Sequence, residues 1–139
     1  MKKYNLLLVF FLLSLISVYS QKKHTLTIIF SGMKSNKGVV FVGLHNEEAT
    51  FLKERFREGV VNVSNKEAVV IFENLPEGEY AVSAFHDEND NKELDTNFIG
   101  IPKEPIGISN DAKGFMGPPK YDDAKFLVSE NKEIKIIIN

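Results

Sequence analysis

The chain has 139 residues, a formal net charge of −2 at pH 7 and no cysteine. Without cysteine it has neither a disulfide nor a lipid anchor on a cysteine that follows an export signal. The slight acidity argues against nucleic-acid binding, because proteins that bind nucleic acids usually present a clearly basic surface.

The N-terminus has the pattern of an export signal. Two lysines precede an apolar run over residues 6–16, and Val18 and Ser20 stand at the −3 and −1 positions of a cleavage site. The run is shorter than the roughly 20 residues that a membrane-spanning helix needs. We predict a signal peptide over 1–20, one mature domain over 21–139, export to the periplasm or the exterior, and no membrane span in the mature chain.

The mature chain is rich in short segments of β-branched and aromatic residues, separated by turn residues, which is typical of an all-β domain. The second of these segments is apolar on both faces, which predicts a central strand. The predicted strands are His24–Phe30, Val39–His45, Val60–Val63, Ala68–Phe72, Tyr80–His86, Ala124–Val128 and Ile134–Ile138.

Two turns are predicted to close hairpins. A Pro-Glu-Gly segment at 76–78 suits a tight turn, since proline fixes φ and glycine tolerates positive φ. The strand over Ala68–Phe72 is therefore expected to pair with the strand that begins at Tyr80, with Leu75 and Tyr80 buried at the corner. Residues 130–132 are predicted to join the last two strands in the same way.

The segment after the second strand could form a short helix. Asn46 can cap it, and Ala49, Leu52 and Phe56 follow at helical spacing. The alternative is an irregular excursion over one end of a sheet. With at most this one short helix, the pattern predicts an antiparallel β-sandwich of the transthyretin-like or immunoglobulin-like kind.

Several motifs of the mature chain resemble a family of secreted bacterial proteins catalogued as domain of unknown function 2141. The resemblance implies export and a β-sandwich domain, and it implies no activity, because none is assigned to the family. In one place the chain departs from the family, which has Asn-Gly-Asn-Gly-Lys-Leu-Asp where Asp90 and Lys92 here occupy the glycine positions. The matching segments are 38–42, 75–82, 85–91, 94–97, 100–105, 109–110, 117–119 and 122–126.

An acidic loop follows the strand that ends at His86. Its oxygen-bearing residues stand at alternate positions, as in the first half of a calcium loop, and calcium takes six to eight oxygen ligands. Lys92 stands at the sixth position, where such loops have glycine, and Phe98 stands at the twelfth, where they have a bidentate glutamate. A polar turn held by bonds to its own backbone is the alternative. The predicted calcium ligands are Asp87, Asn89, Asn91, Glu93 and Asp95.

Residues outside the loop could complete or replace this site. Asp122 and Asp123 are candidates for further oxygen ligands of calcium. His45 and His86 each end a predicted strand, and with Asp87 they would form a two-histidine, one-carboxylate set suited to zinc or another transition metal.

No reaction is indicated. Ser83 is near His86 in sequence, but alternation along a strand places the two on opposite faces, and no nucleophile elbow is present. We expect a binding or structural module of the bacterial envelope or exterior whose ligand is an unknown protein, glycan or small molecule. No catalytic residue is assigned. The alternatives are a small metal-dependent enzyme that uses the histidine set and a transthyretin-like carrier.

Overall fold

The computed structural model describes residues 21–139, and the predicted signal peptide lies outside the described residues. The described chain is mostly β-strand, as predicted, with a 3-10 turn over Ser109–Asp111 and one short helix, α1, over Tyr121–Ala124. Within this part of the chain no helix is long and apolar enough to cross a membrane. The strands are β1 (Lys23–Ser31), β2 (Val39–His45), β3 (Arg57–Asn62), β4 (Ala68–Pro76), β5 (Gly78–Asp87), β6 (Ile106–Ile108), β7 (Phe126–Val128) and β8 (Lys132–Ile137).

The strands form two sheets. One has the order β4-β1-β8, and the other has the order β3-β2-β5-β6, with β7 paired to the first residues of β5. All neighbours are antiparallel except β1 and β8, which run parallel. β2 lies between β3 and β5, so the prediction of a central second strand is confirmed.

The Pro-Glu-Gly segment crosses between the sheets, and the predicted hairpin is wrong. β4 ends at Pro76 and β5 begins at Gly78, which leaves Glu77 alone between the strands, whereas a tight hairpin needs at least two loop residues. β4 therefore pairs with β1, and β5 pairs with β2 in the other sheet. Leu75 and Tyr80 are buried as predicted, and the Tyr80 hydroxyl donates a 2.8 Å hydrogen bond to the carbonyl of Pro76.

Two more local predictions are corrected. The last two strands are not a hairpin, because β7 pairs with β5 and β8 pairs with β1. The segment after β2 forms turns and no helix: the backbone N–H groups of Lys53 and Glu54 both bond to the carbonyl of Thr50, and Leu52 has a φ of 62°, outside the right-handed helical region. This segment is an irregular excursion over the outer face of the larger sheet, where Phe51 is buried.

The main core lies between the two sheets. Alternate side chains point inward from each strand, as the two-residue period of a strand requires. Those of the smaller sheet include Leu26, Ile28, Phe30, Val70, Phe72 and Ile136, and those of the larger sheet include Val40, Val42, Leu44, Tyr80, Val82 and Ala84.

A second, smaller core covers part of the outer face of the larger sheet. Phe51, Ala81, Ile108, Tyr121 and Ala124 form it. β5 is therefore buried on both faces over much of its length. Because this strand is fixed on both sides, the residues at its end start the loop that follows from a well-defined position.

Candidate functional site

The acidic loop begins at Asp87, the last residue of β5, whose side chain is fully buried. One carboxylate oxygen of Asp87 accepts a 3.2 Å hydrogen bond from the backbone N–H of Asn91, and the other accepts a 2.8 Å bond from that of Lys92. A buried carboxylate that accepts backbone N–H groups anchors the turn around itself. Asp87 thus holds the loop closed at its base.

The next two oxygen-bearing residues of the loop bond to the backbone two residues further on. The side-chain oxygen of Asn89 accepts the N–H of Asn91, and that of Asn91 accepts the N–H of Glu93, each at 3.0 Å. Their amide groups converge on Asp95, with distances of 2.6 Å from Asn89 and 3.0 Å from Asn91 to its two carboxylate oxygens. The structure therefore brings Asp87, Asn89, Asn91 and Asp95 together, and it places Glu93 at the exposed rim.

The loop has left-handed backbone at two positions. Asp90 has a φ of 59° and Lys92 a φ of 68°. Glycine reaches this region without steric cost, whereas in other L-residues the contact of Cβ with the backbone costs free energy. These are the two positions at which the resembled family has glycine, so Asp90 and Lys92 both adopt the backbone that glycine favours there.

Glu104 is a further acidic residue of this site that the sequence did not single out. One of its carboxylate oxygens accepts a 3.1 Å hydrogen bond from the backbone N–H of Asp95, and the other is buried without a hydrogen-bond partner. Burial raises the pKa of Glu104, and the negative charges of Asp87 and Asp95 raise it further. The 100–105 segment is among the motifs shared with the family, and that was the signal that could have identified Glu104.

The three carboxylates of Asp87, Asp95 and Glu104 form the acidic cluster of this site. Over residues 21–139, no lysine, arginine or histidine makes a salt bridge with any of the three. Like charges held together disfavour the ionised form of each group and are relieved by a bound cation. The electrostatics of the cluster therefore favour a positive ion.

The side chains of the loop offer oxygen atoms, which are the ligand type of calcium sites and not the sulfur and nitrogen ligands that dominate zinc sites. Carboxylate and amide oxygens are hard ligands of the kind that calcium takes, and each oxygen keeps a second lone pair when it accepts one backbone N–H. The twelfth-position residue, Phe98, is 98% exposed and contributes nothing, while Glu104 supplies a carboxylate from outside the loop. The base of the site resembles the first half of a calcium loop, and the second half differs.

His86 supports the base of the loop from the other face of β5. Its Nε2–H donates a 2.7 Å hydrogen bond to the carbonyl of Lys37, and its Nδ1 lies 3.7 Å from a carboxylate oxygen of Glu88. Gly38 makes this close approach possible, because a Cβ there would stand 1.7 Å from the carbonyl oxygen of Asp87. The turn between β1 and β2 is therefore fixed against the start of the acidic loop.

The structure does not bring the two histidines together. In the β2–β5 pair, His45 lies opposite Ala81 and His86 lies opposite Val40. The histidines are thus at opposite ends of the strand pair, separated by roughly 17 Å of strand. Within residues 21–139 no three His, Asp or Glu side chains stand together in a geometry that could hold a metal ion, and this applies to Asp87, Asp95 and Glu104 as they are placed here as well as to the histidine set. His45, His86 and Asp87 do not form one ligand set.

Asp122 and Asp123 are also far from the acidic loop. They belong to α1, whose Tyr121 hydroxyl donates a 3.2 Å hydrogen bond to the carbonyl of Glu79, near the start of β5. The carboxylate of Asp122 makes a 3.0 Å ion pair with Lys125. These two acids lie at the end of β5 opposite to Asp87.

His45 contacts a different residue. Its Nε2 is 2.8 Å from the hydroxyl oxygen of Ser83, and its Nδ1 is 2.8 Å from the carbonyl oxygen of Glu54. Sequence reasoning compared Ser83 with His86 along one strand and missed the histidine of the neighbouring strand. Only the register of β2 against β5 reveals this contact.

The comparisons with known proteins give one match. A family model described as an uncharacterized protein conserved in bacteria (DUF2141) matches residues 28–136. No curated protein matches the chain, and no solved structure matches it either. The match covers strands of both sheets, the acidic loop and Glu104.

Proposed function

Since the chain belongs to the DUF2141 family of uncharacterized bacterial proteins, we propose that it is an exported β-sandwich module whose acidic loop binds a calcium ion. Its role is that of a binding or structural protein of the bacterial envelope or exterior. The ligands are the side-chain oxygens of Asp87, Asn89, Asn91 and Asp95 and the carbonyl of Glu93, with Glu104 in place of the missing twelfth-position glutamate.

The observation that carries this proposal is the acidic cluster of Asp87, Asp95 and Glu104. Asp87 and Asp95 stand at the two ends of the loop and Glu104 lies beyond it, and the described residues offer the three carboxylates no ion-pair partner. One oxygen of Glu104 is buried without a donor. An unpaired buried polar atom is costly, and a cation bound to it would remove that cost.

Calcium is favoured over magnesium and zinc by the ligands. All are oxygens, whereas zinc sites in proteins are dominated by cysteine and histidine. The ligands come from an irregular loop, and calcium tolerates irregular geometry where magnesium requires a near-ideal octahedron. Extracellular calcium modules have dissociation constants of about 10⁻⁴–10⁻³ M, which suits an exported protein.

The ion would order a surface that displays apolar side chains. Asn97 fixes the tip of the loop, because its side-chain oxygen accepts the N–H groups of both Ile99 and Ile101 at 3.0 Å. Phe98, Ile99 and Ile101 are 98%, 64% and 54% exposed. Exposed apolar residues on an ordered loop are typical of interaction sites, so the loop is the part of the module that we assign to partner binding.

Calorimetric titration of the purified protein with calcium chloride tests the proposal. The matched pair of variants is Asp95→Asn and Asp90→Asn, which remove the same charge from the same loop. Asp90 makes no side-chain hydrogen bond there, and asparagine tolerates its positive φ. We expect calcium to bind the wild type and Asp90→Asn alike, and magnesium to bind more weakly.

Asp95→Asn is expected to weaken calcium binding by about tenfold or more. If calcium does not bind the wild type, or if both variants bind calcium equally, the proposal is wrong and the loop is a polar turn. Circular dichroism spectra of the three proteins, recorded in parallel, establish that all are folded.

A further inference from the structure

The contact between Ser83 and His45 joins two neighbouring strands on the outer face of the larger sheet. Ser83 lies directly opposite Gly43 in the β2–β5 pair, and His45 is two residues further along β2. Diagonal neighbours of this kind are within reach of a long or aromatic side chain. The imidazole of His45 therefore reaches across to the hydroxyl of Ser83, at 2.8 Å.

The second nitrogen of His45 fixes the direction of this hydrogen bond. The carbonyl oxygen of Glu54, 2.8 Å from Nδ1, can only accept, so Nδ1 carries the hydrogen. Burial lowers the pKa of His45 below its ordinary value of 6.5; the hydrogen bond to Glu54 acts in the opposite direction and Arg55 adds to the lowering, so the neutral ring predominates at pH 7. In the neutral ring with Nδ1 protonated, Nε2 is an acceptor, and the Ser83 hydroxyl donates to it.

This arrangement has the elements of an activated nucleophile. A serine hydroxyl becomes a nucleophile when a neutral histidine within hydrogen-bond distance can take its proton, and a third group orients the histidine. Here the carbonyl of Glu54 orients the ring from the opposite side. Phe51 also holds it, with the two ring centroids 5.2 Å apart in an edge-to-face contact.

A glycine leaves room above this pair. A Cβ at Gly43 would stand 3.1 Å from His45 Nε2, from Ser83 Oγ and from Arg55 Cδ. Any larger residue would therefore crowd the hydrogen bond and the space in front of it. Ser83 is half-buried and lines a cleft of about 20 Å³ together with Gly43 and the stacked rings of Phe41 and Phe85.

One wall of the cleft carries an ion pair. Arg55 and Glu58 both line the cleft, with a guanidinium nitrogen of Arg55 3.2 Å from a carboxylate oxygen of Glu58. A donor placed where negative charge develops is among the largest contributions to catalysis of acyl transfer. Arg55 is the group of this cleft that can meet an oxyanion formed by attack of Ser83.

From this geometry we propose that Ser83 is a nucleophile activated by His45, at a site that takes a carboxylic ester with a small acyl group. In the first step the Ser83 Oγ–C bond forms while its proton moves to His45 Nε2. The ester C–O bond then breaks, and the leaving alcohol takes that proton. Water attacks the acyl group by the same route, which releases the acid and restores Ser83.

The size and lining of the cleft set the substrate class. Its free space is about that of one water molecule, which is smaller than an acetyl group, so only an ester with a small acyl group, held with its carbonyl at the mouth of the cleft, could reach Ser83. The stacked pair of Phe41 and Phe85 offers an apolar wall to the leaving alcohol. This site lies on the outer face of the larger sheet, away from the acidic loop, so its activity does not depend on calcium.

Labelling with methanesulfonyl fluoride, a small sulfonylating reagent, located by peptide mass spectrometry, tests the proposal on the purified protein. In this reaction the Oγ–S bond forms, the S–F bond breaks and fluoride leaves, while the Ser83 proton moves to His45 Nε2. We expect the label on Ser83 of the wild type and none on Ser83→Ala. His45→Gln is expected to slow labelling by about 100-fold or more, the usual contribution of a positioned base.

Ser35→Ala is the matched control, because the Ser35 hydroxyl bonds to the carboxylate of Glu88 and contacts no histidine. This variant should label as the wild type does, and it should hydrolyse p-nitrophenyl acetate at the wild-type rate. The labelling of Ser83 in the wild type can be measured even if a variant fails to fold. An unlabelled Ser83 in the wild type, or equal labelling in a folded His45→Gln variant, would overturn the proposal and leave the contact as a structural hydrogen bond.

Discussion

The backbone N–H of Asp95 donates a 3.1 Å hydrogen bond to a carboxylate oxygen of Glu104, nine residues further along the chain. This bond closes the acidic loop from its far side, as Asp87 closes it at the base. It also holds two carboxylates close together, and the resulting repulsion contributes to the raised pKa of Glu104. The same contact therefore stabilises the backbone of the loop and concentrates negative charge in it.

Glu104→Gln is expected to have opposite effects with and without calcium. Glutamine keeps an oxygen that accepts the N–H of Asp95 and removes one negative charge from the cluster. Without calcium the variant should be more stable than the wild type by up to about 1 kcal/mol, since charges near the surface are screened.

With calcium the order should reverse. If the wild type binds with a dissociation constant of roughly 0.1 mM, about 2 mM calcium adds roughly 1.8 kcal/mol to its free energy of unfolding, or about 5 °C in melting temperature. The variant should lose most of this shift. Thermal unfolding in calcium and in chelator measures both effects, and an equal calcium shift in the two proteins would exclude Glu104 as a ligand.

Most strands were predictable because their apolar alternation is local, but β6 was not predicted and the predicted strand over Ala124–Val128 begins at Phe126. The bounds of β2 match the prediction, and those of β1 and β5 differ by a residue or two at each end. Pairing was not predictable from the same pattern. The single residue Glu77 between β4 and β5 directs the chain into the other sheet, and turn residues alone do not distinguish this crossing from a hairpin.

The candidate sites also contain residues that the sequence predicted and residues that it did not. Asp87, Asn89, Asn91 and Asp95 are close in sequence, so their spacing predicted that they would lie together. Glu104 reaches the site because the chain after Asp95 folds back on itself, with the backbone N–H of Lys103 bonded to the carbonyl of Asp95 at 2.8 Å. The contact of Ser83 with His45 depends on strand register. Contacts between residues that are distant in sequence can be identified only from the three-dimensional fold, because no local sequence pattern predicts them.

Lys92→Gly is expected to stabilise the protein. Lys92 has a φ of 68°, which costs a side-chain-bearing residue about 1–2 kcal/mol, while glycine loses about 0.5–1 kcal/mol in chain entropy. The net gain should be about 0.5–1 kcal/mol, or a few degrees in melting temperature. Lys113→Gly is the control, since Lys113 is in a loop and lacks a positive φ; a gain of equal size there would rule out backbone strain as the cause.

Export should remove residues 1–20. The lysines, apolar run and cleavage positions of the N-terminus predict a mature chain that begins at Gln21. Intact-mass measurement of protein recovered from the envelope or the medium of a bacterial host checks this. A recovered species that still carries Met1 would contradict the prediction. Replacing Ser20 with a bulky residue should slow processing, because the −1 position of a cleavage site takes small side chains.

Acid should destabilise the protein through His45. Burial, and then the charge of Arg55, lower the pKa of His45 in the folded state below its ordinary value of 6.5, whereas the unfolded chain keeps the ordinary value. Between these two pKa values the unfolded state binds more protons, so stability is fully present above about pH 6.5 and falls as the pH drops towards the folded-state pKa.

Urea unfolding of the wild type and of His45→Gln across this range measures the effect. Titrations common to both proteins cancel in the comparison, and the difference in their free energies of unfolding should narrow as the pH falls. A difference that stays constant from neutral pH to well below 6.5 would show that burial and the charge of Arg55 do not lower the pKa of His45 in the folded state.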